Sequence, residues 1–402
     1  MKSNVVDLFS GCGGLTDGFA QTGYYNTLAA VDWELPTVET LRKRLSDKWN
    51  YQKVTDKVVC FDMQKTDQLI YGWNDDIYGV SPGLKKIIGS KEVDVVIGGP
   101  PCQAYSVAGR IRDENGMHDD YRNYLFESYI KIVQTFQPKV CIFENVQGML
   151  SAAPGGISIV KRISDAFSEA GYYISQELKE VALFDTSDFG IPQKRLRVII
   201  VAVSKKQCKE YKEIVDSFYS QLNTFKTSKV KTVEDAIGDL SKIFPLTTPE
   251  KRVSHYLDFE MDKVSDHTPR FHNRRDVEIF QLLADDIQSG RNKYIHSDQL
   301  KILYTEKTGK VSSVHKYHVL RRDRPSNTIP AHLYKDGLRH IHPDPSQARS
   351  ITVREAARLQ TFDDDYVFLG SNGAKYKMIG NAVPPKFAKL IAVSVKEVLK
   401  NF

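Results

Sequence analysis

The sequence predicts an α/β fold: a doubly wound, mostly parallel sheet carrying a smaller second domain. Three observations point there. Short β-branched runs alternate with amphipathic stretches through the first half of the chain. The alternation ceases after Val203, where lysine-rich and turn-rich sequence takes over. The length, 402 residues, suffices for one large α/β unit and an attachment.

In chain order, Asn4–Phe9 and Thr27–Val31 read as the first two strands, with helices over Leu15–Gln21 and Leu35–Leu45. Val93–Gly98 and Val140–Glu144 follow as apolar, buried strands, with a helix over Leu125–Phe136 between them. A helix over Ile159–Ala170 and strands over Glu177–Leu183 and Val198–Val203 complete the sheet, and the domain boundary is expected near Ser204. Pro385–Leu399 has near-helical apolar spacing after a Pro-Pro start and is expected to pack back onto the first domain. The expected division is 1–204 with 375–402 against 205–374.

Composition narrows the function classes. With 41% hydrophobic and 26% charged residues the chain is neither disordered nor collagenous. No apolar stretch is long enough to cross a bilayer, so no membrane role and a cytoplasmic setting are expected. Cys12, Cys60, Cys102, Cys141 and Cys208 are odd in number and widely spaced, which fits neither a disulfide framework nor paired zinc ligands. Reduced thiols and no metal are expected. Net charge is +6, and residues 205–330 hold 23 Lys and Arg against 18 Asp and Glu, so most of the surplus lies there.

Asn4-Val-Val-Asp-Leu-Phe9 followed by Ser10-Gly-Cys-Gly-Gly14 and Leu15 is strand, glycine turn, helix. Such a turn serves either close approach of a bound group or ordinary strand-to-helix packing. Asp32 stands where nucleoside-binding sheets place a carboxylate for ribose hydroxyls; Trp33 beside it could stack on a purine. Asp62, after Val58-Val-Cys-Phe61, is similarly placed to accept from an adenine amino group. Each alone reads as readily as a cap or turn residue; their order at successive strand ends favours a nucleoside cofactor.

Val93-Asp-Val-Val-Ile-Gly-Gly-Pro-Pro-Cys102 places a thiol just beyond a strand's carboxyl end, where open α/β sheets gather their chemistry. A structural cysteine is usually buried and inert, whereas one held by two prolines at that edge is a candidate nucleophile. Val140-Cys-Ile-Phe-Glu144 delivers a carboxylate to the same edge, employed there or else a cap or ion pair. Gln193-Lys-Arg-Leu-Arg197 puts Arg195 and Arg197 on one side of a strand start, where they could also simply face water.

In this order Asp7-Leu-Phe-Ser-Gly-Cys-Gly-Gly14, Pro100-Pro-Cys-Gln103, Glu144-Asn-Val146, Gln193-Lys-Arg-Leu-Arg197, Arg324-Pro-Ser-Asn-Thr328 and Gly380-Asn-Ala-Val-Pro-Pro385 resemble the motifs of the DNA (cytosine-5) methyltransferases, over nearly the whole chain except about 205–317. The resemblance implies a Rossmann-like, S-adenosylmethionine-dependent methyltransferase fold with a target-recognition domain. It implies that Phe9, Gly11, Gly13, Gly14, Leu15, Asp32, Trp33, Asp62, Met63, Pro100, Leu125, Asn381 and Ala382 bind S-adenosylmethionine, released as S-adenosylhomocysteine. Cys102 would add to C6 of a flipped-out cytosine while Glu144 bonds N3 and the amino group, and Arg195 and Arg197 would fix the ring. Covalent addition makes an otherwise poor C5 nucleophile reactive.

The polar segment from Ala104 to Asn123, with Gly109, Arg110, Arg112 and Gly116, suits a lid over nucleic acid, or is an exposed loop. Double-stranded DNA is the implied partner. Gln103, Ser106, Arg110, Arg112, Arg270, His272, Asn273, Arg274 and Arg275 are the candidate contacts, with Thr268-Pro-Arg-Phe-His-Asn-Arg-Arg275 the preferred recognition segment. Tyr105 and Asn123 depart from residues common in relatives, and Tyr71–Lys91 is an extra loop before the catalytic strand. A tRNA-directed enzyme lacks support because its Cys-Phe-Thr signature is missing; a non-catalytic regulator would not need Cys102, Glu144 and Arg197 together; a nicotinamide oxidoreductase would leave Pro100-Pro-Cys-Gln103 idle. The expected setting is a monomeric prokaryotic modification enzyme protecting DNA from a cognate restriction endonuclease.

Overall fold

The computed structural model of the protein describes residues 2–101, 125–153, 156–258, 264–335 and 337–402. They form two compact units, one of Met1–Gly190, Arg195–Ser228 and Ala382–Phe402, the other of Ile191–Lys194 and Lys229–Asn381. Among the described residues no helix is long and apolar enough to cross a membrane.

The first unit is built on β1 (Ser3–Leu8), β2 (Tyr25–Asp32), β3 (Val58–Cys60), a small hairpin of β4 (Trp73–Asp75) and β5 (Gly79–Ser81), β6 (Val95–Gly98), β7 (Val140–Val146), β8 (Tyr172–Tyr173), β9 (Leu183–Asp185) and β10 (Leu196–Ser204). The eight strands other than the hairpin form one sheet in the order β3-β2-β1-β6-β7-β10-β8, with β9 also paired to β10. Pairing is parallel from β3 to β7, and β10 runs antiparallel to β7. The β-branched interior of β10, Val198 to Val203, is fully buried, which is why its sequence lacks alternation. The chain winds outward from β1 to β3 and then returns to place β6 on the other side of β1. The strand order therefore reverses between β1 and β6, and the crevice at their carboxyl ends is where such sheets hold ligands.

Helix α1 (Gly14–Gln21) leaves β1, and α2 (Leu35–Asp47) leaves β2. A buried ion pair ties them: Arg44 Nε donates to Asp17 Oδ1 at 2.6 Å, an oxygen that also accepts from Trp49 Nε1 at 2.8 Å. The final helix Pro385–Val398 lies against α1 so closely that a Cβ on Gly18 would fall 2.4 Å from the Ala388 Cβ. Tyr25 Oη donates to the carbonyl of Ala392, fixing that helix to β2 as well.

Two sequence expectations are corrected. Glu177–Leu183 is not a strand: Leu178–Val181 is one helical turn, and β9 begins only at Leu183. Leu178, Val181 and Ala182 stand at i, i+3 and i+4, a helical spacing, and Leu178 and Ala182 are the buried ones. The compact units also do not divide at Ser204. The helix Tyr211–Asn223 buries Ile214, Val215, Phe218, Tyr219 and Leu222, and Tyr219 Oη donates to the Ile199 carbonyl of β10, so the first unit runs on to Ser228. At the other end, helix Asn372–Asn381 belongs to the second unit.

The second unit contains the hairpin β11 (Ile243–Glu250) and β12 (Val253–Leu257) and helices Arg274–Gln288 and Ser297–Thr308. Ile279, Phe280, Leu283, Leu300, Leu303, Tyr317, Val319 and Ile341 form its apolar core. Within it, Arg349 and Glu355 make a fully buried bidentate pair at 2.7 Å for both bonds, and Glu355 also completes a capping box with Thr352.

Candidate active site

Beyond β1, Phe9 has a φ of 58°, in the left-handed region that costs a bulky residue about 1–2 kcal/mol. Such strain collects where a site uses it. The chain turns through Gly11 and Gly13, both at positive φ, into α1. A Cβ on Gly11 would have no described atom within 4 Å, so this stretch of backbone is open to a bound group. Leu15 is buried, and Gly14 serves the approach of the C-terminal segment.

Asp32, ending β2, is largely engaged by the protein itself. Its Oδ2 accepts from the Gly11 amide at 2.8 Å, and Oδ1 accepts from the Glu34 amide at 3.0 Å and from Thr37 Oγ1 at 3.2 Å. Burial pushes its carboxyl up and these bonds pull it back. The residue thus clamps the glycine turn to the start of α2, with about one of its four lone-pair sites left for a ribose hydroxyl. Trp33 is 58% exposed, its indole available for stacking. Past β3, Asp62 Oδ1 accepts from the Gln64 amide at 2.9 Å, and Met63 is buried. Open backbone at Gly11, an exposed indole and a partly buried carboxylate fit an adenosyl group.

Across the switch point, β6 runs into Gly99 and Pro100. A Cβ on Gly99 would fall 2.6 Å from Glu144 Oε2, so the missing side chain is what lets that carboxylate lie over the backbone entering Pro100. Asn145 Nδ2 donates to the Pro100 carbonyl at 3.4 Å. Glu144 Oε1 accepts from Arg197 Nε at 2.8 Å, with about one-tenth of either side chain exposed. The antiparallel register of β7 with β10 sets this pair, placing Val146 opposite Arg197 and Glu144 opposite Ile199. Burial pushes the Glu144 carboxyl up, while Arg197 and then Arg195 pull it down. Arg195 is 1% exposed and donates through Nη2 to the Ala382 carbonyl at 3.0 Å. Leu125 is buried at the start of its helix.

Cys102, Gln103, Tyr105, Ser106, Arg110, Arg112 and Asn123, with the expected lid, lie outside the described residues. The structure brings Gly99, Pro100, Glu144, Arg195, Arg197 and Ala382 together in the first unit, with the glycine turn and Asp32 across the switch point. Asn381 ends a helix of the second unit. The reading of the sequence missed Gly99, Thr37 and Asn145. The doubled Gly98-Gly99 was the signal for the first; nothing local marks Thr37 as a partner of Asp32.

In the second unit the preferred recognition segment has one buried member, His272, among residues that are exposed or half-buried. His272 is 4% exposed: its amide donates to Ser254 Oγ at 2.9 Å, and its Nε2 accepts from the Ser350 amide at 3.2 Å. Burial pushes the imidazole down to about 3, so it is neutral. Arg270 donates to the Leu333 carbonyl at 3.0 Å and lies 4.5 Å over the Tyr376 ring. Asn273 caps the helix Arg274–Gln288 through the Asp276 amide. Arg274 and Arg275 project outward, paired with Glu278 and Asp276 at 3.1 Å each. Gln193, of the Gln193–Arg197 motif, is buried and bonds Gln360 and the Ile329 amide, which fixes the segment after Arg324-Pro-Ser-Asn-Thr328.

A family model for the C-5 cytosine-specific DNA methylases matches residues 3–397. A type II methyltransferase of Bacillus paralicheniformis is 33% identical, the alignment covering 99% of this chain and 99% of that protein. A type II methyltransferase of Haemophilus parahaemolyticus is 30% identical over 100% of this chain and 88% of its own length. Among solved structures, a putative DNA modification methyltransferase encoded within an E. coli prophage has the same fold, with a TM-score of 0.63 at 22% identity over 99% of this chain and 100% of that one.

Proposed function

The chain belongs to the C-5 cytosine-specific DNA methylases, and from that premise we propose that this DNA cytosine-5 methyltransferase works through Cys102, as thiolate, on a cytosine extruded from duplex DNA. The target atoms are shielded inside the stack, so the base must leave it. The Cys102 sulfur bonds to C6, and the electron pair displaced from the ring double bond makes C5 nucleophilic. Glu144, whose carboxyl is pushed up by burial, donates to N3 and neutralises the charge that builds there. Arg197 orients Glu144 through the 2.8 Å bond and contacts the base carbonyl, with Arg195 behind it. Loss of the C5 proton to base and departure of Cys102 restore the aromatic ring.

The backbone from Phe9 to Gly13, with Trp33 and Asp62, would hold S-adenosylmethionine. When bound, that group supplies the electrophilic methyl for C5. The first unit would thus carry catalysis and cofactor, and the second target recognition. Relatives named type II methyltransferases support a modification role, in which the protein, acting as a monomer in this reading, would protect DNA against a cognate endonuclease.

The observation that carries this reading is the buried Glu144–Arg197 pair beside the Gly99-Pro100 backbone, immediately before Pro101-Cys102 in the chain. The test is a duplex with 5-fluorocytosine at the target, incubated with the methyl donor. Elimination is then blocked, and peptide mass spectrometry should find the oligonucleotide attached at Cys102. Attachment at another residue, or none alongside normal methylation of unmodified duplex, overturns the assignment. Methylation of tRNA and not of DNA would reverse the substrate.

A further inference from the structure

The extra segment Tyr71–Lys91, which the methylation chemistry leaves without a task, folds against the strand end that carries Asp62. Trp73 of β4 is 6% exposed and stacks on Phe61, ring centroids 4.1 Å apart at 27°. Tyr78, in the hairpin turn, meets the same ring edge-on at 5.3 Å. Phe61 is fully buried and stands between Cys60, the end of β3, and Asp62.

A polar chain closes the circuit. Lys65 Nζ pairs with Asp75 Oδ2 at 2.5 Å, and Asp75 Oδ1 accepts from the amides of Ile77 at 2.9 Å and Tyr78 at 3.2 Å. The Lys65 amide donates to the main-chain oxygen of Asp62 at 3.1 Å. Hairpin contacts therefore hold the residue before Asp62 and the residue three after it. A turn of this kind without such bracing would have to be ordered by the ligand, at a cost to affinity.

We propose that this hairpin is a positioning element for the methyl donor's purine, holding the Asp62 carboxylate where it accepts from the exocyclic amino group. The inference deepens the cofactor assignment above and rests on Asp62 as the adenine contact. Trp73, Tyr78 and Asp75 act through Asp62 and touch no reacting atom.

The test compares calorimetric binding of S-adenosylhomocysteine and S-inosylhomocysteine, which carries a carbonyl in place of the amino group, to the full-length protein. The wild type should prefer the adenosyl ligand. Tyr78→Ala and Asp75→Ala should each weaken the adenosyl ligand about tenfold while leaving the inosyl ligand nearly unchanged, with turnover at saturating donor within about twofold. Equal losses for both ligands would mean general loosening and overturn the proposal. So would an unchanged preference in both variants when Asp62→Ala abolishes it. If Asp62→Ala itself keeps the preference, the adenine assignment fails, and the positioning role with it.

Discussion

Arg197 Nε lies 2.8 Å from Glu144 Oε1, joining the start of β10 to the carboxyl end of its antiparallel neighbour β7 where both side chains are nearly buried. Two opposed effects meet on that carboxyl: desolvation raises its affinity for a proton, and the guanidinium lowers it. A group so balanced can both donate to a ring nitrogen and give up the proton afterwards.

This balance sets the sign of a pH effect. If the protonated carboxyl is the active form, turnover on its account is present below its raised pKa and lost as pH rises through it. Arg197→Met removes the largest force lowering that pKa, so the descending limb of the kcat profile should move to higher pH. The measurement is single-turnover methylation across pH at saturating duplex and donor. A limb that stays put or moves to lower pH would disprove the coupling.

Gly99 is expected to be intolerant for a reason unrelated to chain flexibility. An alanine Cβ would meet Glu144 Oε2 at 2.6 Å and push the carboxylate out of register with Arg197. Misplacement on this scale costs about 100-fold in turnover. Gly99→Ala should therefore lose about that factor in kcat, with S-adenosylhomocysteine affinity unchanged in calorimetry. Full activity would show that Glu144 can move without consequence.

Long buried strands were legible because Val, Ile and Phe dominate β7 and β10, with Glu144 toward the carboxyl end of β7. Of the short strands, β3 was legible only as the apolar run before Asp62, and the three-residue β9 and two-residue β8 were not. They are too short to show a period, and they are strands only because β2 and β10 supply pairing partners. The same limit applies to polar residues. Asp32 is engaged by Gly11 and Thr37, and His272 by Ser254 and Ser350. Whether such a side chain faces a ligand or the interior depends on partners distant in sequence.

Asp7, in the glycine-turn motif, carries a thermodynamic consequence. It is fully buried, accepts from Thr16 Oγ1, and burial raises its carboxyl from 3.8 to about 7. The native protein therefore keeps a proton that the unfolded chain releases as pH rises from about 4 to 7. Its stabilising contribution is complete below about pH 4 and is lost as pH climbs through about 7. Asp7→Asn keeps an acceptor for Thr16 but does not titrate. Its stability relative to wild type should rise by about 2–4 kcal/mol between pH 4 and pH 8 in urea unfolding. A difference that is flat with pH would place the proton elsewhere.

Within the segment Thr268–Arg275, burial separates stability from recognition. His272→Ala would strand the Ser350 amide and open a gap beside Phe280, whose ring lies 5.0 Å away, and should cost about 2–3 kcal/mol of stability. The methylated sequence should not change. Arg274 and Arg275 face outward and pair with Glu278 and Asp276 of their own helix, pairs worth little in water. If they meet phosphates, each alanine variant should weaken duplex binding uniformly across sequences and reduce the slope of log K against log salt by about one. Filter binding over a salt series checks the slopes, and bisulfite sequencing checks the site. A His272→Ala protein of wild-type stability that methylated a different sequence would return the buried imidazole to the DNA interface.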